Sequence, residues 1–177
     1  MNTFATIDDL SGEILTPLVR YYSIRLEDEN GEAGEYNEFE KFVSKHQHLE
    51  AIQEEWNDLL AWLTIRLGER HAAKDKYFRH EGTAQALPPS ANFLEIDYRQ
   101  NLRLYCLRLS DHVVVLFNGG IKTKGVATAQ ECAVVRPHFR RANQLAKAID
   151  KAIKSGDISL SDDLKKLVFH PDFELEL

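Results

Sequence analysis

The stretch LRLYCLRLSDHVVVLF, residues 102–117, decides the fold. Leu102–Leu109 and His112–Phe117 have the β-branched and aromatic composition of strands, and only Ser110-Asp111 separates them. So short a link cannot carry a crossover, so the two segments are expected to run antiparallel. Val113–Phe117 is continuously apolar, as suits a central strand buried on both faces. Working outward toward the N-terminus, Phe93–Tyr98 reads as a third extended segment joined through Arg99-Gln100-Asn101, which makes a β-meander. On the other side Asn118-Gly119-Gly120 interrupts the pattern, and Ile121 to Lys124 leaves as a short extended exit.

The preceding residues read as a strand and two helices. In LVRYYSIRL, residues 18–26, Leu18, Tyr22, Ile24 and Leu26 share a face, with Arg20 in the same register. Asp28-Glu29-Asn30-Gly31 ends this strand with turn residues. Tyr36, Phe39, Phe42, Val43 and His46 recur at helical spacing, and Leu49, Ile52, Trp56, Leu59, Leu60, Leu63 and Leu67 form a longer helical stripe that Gly68 is expected to close. Residues 69–92, with Gly82, Pro88 and Pro89, read as a loop holding at most a short helix. Residues 1–16 read as an arm or a short helix such as Ile7 to Leu15.

After the meander, Thr128-Ala129-Gln130-Glu131 has the form of a capping box. It precedes a helical stripe from Cys132 to Ile153, in which Pro137 predicts a kink or two consecutive helices. Ser155-Gly156 ends it, Ser161 is expected to cap a short helix over Asp162–Val168, and the tail HPDFELEL reads as an edge strand or a loose end. The expected architecture is α+β: an N-terminal strand, a helical hairpin, an antiparallel β-meander and a C-terminal helix, with the helices on one side of the sheet. The expected division is an arm at 1–17, the main domain at 18–155 and a C-terminal short helix and tail at 156–177.

Charge is unevenly distributed. The chain of 177 residues has a net charge of −6, which by itself argues against a nucleic-acid partner. Residues 1–97, however, carry nine Lys/Arg against 19 Asp/Glu, residues 98–155 carry 11 against three, and residues 156–177 carry two against six. A basic block between acidic ends can form a local anion-binding face. Cys106 and Cys132, the two cysteines, are too few for a disulfide framework and too far apart in sequence for a metal motif, so they read as reduced, partly buried thiols. No apolar run approaches the roughly 20 residues needed to span a bilayer, and MNTFATIDDL lacks the pattern of a secretory signal. The expected setting is cytoplasmic, without membrane association.

Three stretches carry a family resemblance: RYYSIRLEDENGEAGEYNEFEKFV (20–43), KYFRHEGTAQALPP (76–89) and NLRLYCLRLSDHVVVLFNGGIKTKG (101–125). In order and spacing they resemble the opening strand and first helix, the connector, and the paired strands of the RelE/ParE toxin superfamily, most closely its HigB-like, phage-derived branch. The resemblance implies the toxin component of a type II toxin–antitoxin system, neutralised by a cognate antitoxin. It implies action as a ribosome-dependent mRNA endonuclease without metal or other cofactor. The alternative it leaves open is a non-catalytic binding module of the same fold, either a ParE-like gyrase inhibitor or a degenerate toxin.

Metal-free RNA cleavage must deprotonate the 2′-OH, neutralise the phosphorane and protonate the leaving 5′-oxygen. Arg103 matches the strand arginine that contacts the scissile phosphate in this family, and Lys122 and Lys124 match basic residues of its exit segment. His138 is a candidate acid–base residue, lying among Arg136, Arg140 and Arg141, which with Arg108 are expected to bind RNA phosphates. Members of the family place a catalytic Tyr or His near the end of the last strand or the C-terminus. Here GVATAQECAVV, residues 125–135, contains neither, so the resemblance leaves the acid–base partner unassigned.

Overall fold

The computed structural model describes residues 4–89, 101–122 and 132–177. The expected strand at Phe93–Tyr98, the residue Lys124 and the capping box at 128–131 lie outside the described residues.

The expected hairpin at 102–117 is present as β5 (Leu102–Ser110) and β6 (Val113–Ile121), paired antiparallel. Before them in the chain come β1 (Phe4–Asp9), β2 (Arg20–Leu26), β3 (Arg79–Glu81) and β4 (Ala84–Leu87). After them come β7 (Ile158–Leu160), β8 (Leu167–Phe169) and β9 (Leu175–Glu176). Among the described residues seven strands form one sheet in the order β3-β4-β5-β6-β2-β1-β9; β2 and β6 pair in parallel and the other pairs are antiparallel. β7 and β8 pair separately.

The alternation of β6 explains the layers. Val113, Val115 and Phe117 face one way, into a cluster with Tyr22, Ile24 and the inner side of helix α3 (Arg136–Ser155). Val114 and Leu116 face the other way, into a cluster with Phe42 of α1 (Glu38–His46) and Trp56 and Leu59 of α2 (Gln53–Ala61). A strand that is apolar on both faces needs cover on both. The helices therefore occupy both sides of the sheet, which corrects the one-sided arrangement expected from the sequence.

Other departures have equally local causes. The arm is β1, an edge-side strand whose Asp8 and Asp9 pair with Arg25 and Arg20 of β2; its polar residues conceal the strand from a hydrophobicity reading. The segment read as a loop holds β3 and β4, whose alternation is hard to see because alanines fill the buried positions Ala84 and Ala86. Asp162–Val168 is not a helix: Ser161 Oγ accepts from the amides of Lys165 and Lys166 and closes the turn between β7 and β8. The tail supplies β9 at the sheet edge. The expected arm and tail thus both join the main sheet.

Two glycines mark close approaches. Gly68 does not stop the second helix, which continues as π-type turns over Trp62–His71. A Cβ there would lie 2.6 Å from Thr16 Cγ2, so glycine lets the chain entering β2 lie against the helix. Pro137 lies in the first turn of α3, where no amide hydrogen bond is lost, and one helix runs on from there to Ser155.

At Asn118-Gly119 the strand does not stop. Leu104 pairs with Gly119 and Cys106 with Leu116, so two β6 residues oppose Tyr105 in a bulge. A Cβ on Gly119 would fall 1.8 Å from the Arg103 carbonyl oxygen. Gly119→Ala is therefore expected to lower the unfolding free energy by at least about 3 kcal/mol, read from urea denaturation. A midpoint like that of the unmodified chain would contradict this account of the bulge.

Candidate functional site

The register fixes which side chains share the α3 side of the sheet. Arg79 pairs with Ala86, and Ala86 with Tyr105, so these three form one row; Glu81 and Ala84 form the next. Arg103 lies two residues before Tyr105 on the same face, opposite Gly120. Alanines at Ala84 and Ala86 of β4 put no large side chain between the Arg79 and Glu81 positions of β3 and the Arg103 and Tyr105 positions of β5 on this face. Lys122 follows at the end of β6, its amide donating to the Asn101 carbonyl at 2.7 Å.

Helix α3 packs against this face. Asn143 Oδ1 accepts from the amides of Thr83 and Ala84 at 2.7 and 3.1 Å, and its Nδ2 donates to the carbonyls of Glu81 and Phe139. Phe139 meets Tyr105 edge to face, with ring centroids 6.2 Å apart. The His138 ring lies against Gly120, the register partner of Arg103. The β3–β4 turn that carries Glu81 is therefore held by one asparagine.

The electrostatics follow from burial among cations. Burial raises the Glu81 carboxyl above its ordinary value of 4.5, against the opposing pull of Arg103, Arg79 and Lys122. Arg79 is pushed down to about 10 by burial and by the charge of Arg103. Its Nε donates to Pro88 O at 2.7 Å and its Nη2 to Pro89 O at 3.1 Å. Arg103 is lowered by burial, with Glu81 drawing it back up. Its residue exposure is 6% and its Nη1 donates to Leu102 O at 3.1 Å. Burial also raises the Tyr105 phenol, and its hydroxyl has no hydrogen-bond partner among the described residues. His138 is held below 6.5 by burial first and by Lys45 second.

Of the residues singled out from sequence, Arg103 and Lys122 thus share the electrostatic neighbourhood of Glu81, and His138 stands at the adjoining end of α3. Arg136, Arg140 and Arg141 line one depression on the first turns of α3. No acidic residue lies in the first turn and Val135 makes no side-chain cap, so these cations stand at the positive end of the helix. Arg108 is elsewhere: five residues along β5 from Arg103, or about 17 Å. It donates to Ala73 O at 2.5 Å and to Asp111 Oδ1 at 2.6 Å. Its guanidinium braces a loop, apart from Arg136, Arg140 and Arg141.

Arg79, Glu81 and Tyr105 were missed from sequence. The available signal was the alternation of Arg and Glu in Arg79-His80-Glu81, visible only once that segment is read as a strand. Cys106 and Cys132 are both buried, and burial raises the Cys106 thiol. Among the described residues no helix is long and apolar enough to cross a membrane, and no group of three or more His, Cys, Asp or Glu is placed to hold a metal ion.

Comparison with protein-family models, with curated proteins and with solved structures finds no match to the chain.

Asn143→Ala removes the anchor of the β3–β4 turn. Expected is a stability loss of about 1–3 kcal/mol in urea denaturation, from the amides and carbonyl left without a partner. An unchanged midpoint would show that the turn is held by something else.

Proposed function

We propose that the chain is the toxin component of a toxin–antitoxin pair, and that it cleaves mRNA at the ribosome by metal-free transfer to the 2′-oxygen. The observation that carries this reading is the position of Glu81. A carboxylate lies within the electrostatic reach of Arg79, Arg103 and Lys122, on the strand face where the family resemblance expects a phosphate-contacting arginine. This arrangement supplies the acid–base group that the resemblance leaves unassigned.

On this reading Glu81 takes the proton of the 2′-OH as that oxygen attacks phosphorus. Arg103, Arg79 and Lys122 offset the charge gathering on the phosphorane oxygens, a task for which fixed cations in a poorly hydrated pocket are well suited. His138, when protonated, gives its proton to the departing 5′-oxygen. Arg136, Arg140 and Arg141 would hold flanking phosphates, whose charge offsets the unfavourable meeting of arginines with the positive end of α3.

The pH dependence has a definite sign. Glu81 must be ionised and its pKa is raised above 4.5; His138 must be protonated and its pKa is lowered below 6.5. Activity is therefore expected to follow a narrow bell, rising through the Glu81 pKa and falling through that of His138. Glu81→Gln is expected to reduce cleavage of a translated mRNA about 10²- to 10⁴-fold and to abolish the rising limb. Messenger RNA that stays intact with the unmodified chain across this pH range would overturn the ribonuclease reading.

A second reading, a binding module of the same fold, is favoured by two contacts. Arg103 is 6% exposed, and the Arg79 guanidinium is engaged by the carbonyls of Pro88 and Pro89. Such a module would inhibit a protein target such as gyrase. Loss of gyrase supercoiling with RNA left uncut would select it.

A further inference from the structure

On the opposite side of the sheet from Glu81, α1, α2 and the loop after β1 leave an open groove. Its walls are apolar: Ile14, Phe39, Val43, Trp56 and Leu60 line it, and the cavity is about 530 Å³. Tyr36 lines it and is 49% exposed. The groove belongs to the core beneath α1 and α2, not to the one beneath α3.

Its rim is net acidic. Glu13 and Glu40 are among the lining residues, and no lysine or arginine is among the described ones. Glu13 is exposed at the lip, and its carboxyl is raised by burial and then by the nearby charges of Glu40 and Asp8, against the pull of Arg25, which pairs with Asp8 and lies 3.6 Å from Glu40. The lysines of α1, Lys41 and Lys45, are not among the lining residues; Lys41 pairs with Glu38, and Lys45 acts on His138. The groove and the depression lined by Arg136, Arg140 and Arg141 have no lining residue in common.

We propose that this groove docks an amphipathic helix of another protein, one with an apolar stripe and lysines or arginines flanking it. Apolar anchors at i, i+3, i+4 and i+7 fill the cavity, and the flanking cations meet Glu13 and Glu40. Because the groove lies on the other face of the sheet from Glu81, the docked helix does not lie over Arg79, Glu81 and Arg103. The proposal holds for either reading of the function.

The test uses the full chain and two labelled helical peptides of about 18 residues, long enough to form a helix. Both carry the same leucine stripe; one has lysine flanks and the other glutamate flanks. Fluorescence anisotropy is expected to show binding of the lysine peptide and none of the glutamate peptide. Val43→Glu is expected to abolish binding, and Glu13→Lys, an exposed position that spares the fold, to weaken it about fivefold; circular dichroism checks that both variants fold. Equal binding of the two peptides, or no binding of either, overturns the proposal. So does concentration-dependent dimerisation of the chain that Val43→Glu removes, since the groove then serves a second copy.

Discussion

Strand β6 is apolar on both of its faces, and the molecule is arranged around covering both. Its neighbour β2 runs parallel to it, with Arg20 to Ser23 in register with Val113 to Leu116. Parallel neighbours in the middle of a sheet require a long connection, and α1 and α2 lie within it, packed on one face. The chain emerging from β6 must then cover the other face, which α3 does with Ala142, Leu145, Ala146 and Ile149. Everything at the periphery, including the candidate site, is placed by this two-sided burial.

The same constraint explains why the charged cluster lies where it does. Toward the β3 edge of the sheet the inward positions of β4 shrink to alanine, and α3 reaches the sheet there through Phe139 and Asn143 rather than through large aliphatics. The space admits long polar side chains from β3 and β5. Arg79, Glu81 and Arg103 meet in partial burial, where their charges act on each other more strongly than at an exposed surface. Burial raises Glu81 although cations surround it, so desolvation outweighs their attraction there.

Legibility in the sequence followed the range over which each signal acts. The hairpin at 102–117, the stripe from Leu49 to Leu67 and the α3 stripe carry their own periodicity and were readable. β1, β3 and β9 are short or polar, and their extended state depends on partners remote in the chain, such as Leu175 beside Ala5. Ser161 has the same side chain whether it caps a helix or closes a hairpin turn, and only the pairing of Ile158 with Phe169 decides between them. For the candidate site, Arg103 was readable from its place in a strand, whereas Glu81 was hidden because its strand was. Arg108 looked equivalent to Arg103 by residue type and is distinguished only by Asp111, which the hairpin turn brings beside it.

The central claim is that Glu81 and Arg103, distant in sequence, act on each other within one site. A double-mutant cycle with Glu81→Gln and Arg103→Met, each variant followed by urea denaturation, reads out that interaction. A coupling energy of about 1 kcal/mol or more is expected, as for charged groups sharing a partly buried cluster. Additivity of the two substitutions within about 0.3 kcal/mol would contradict it.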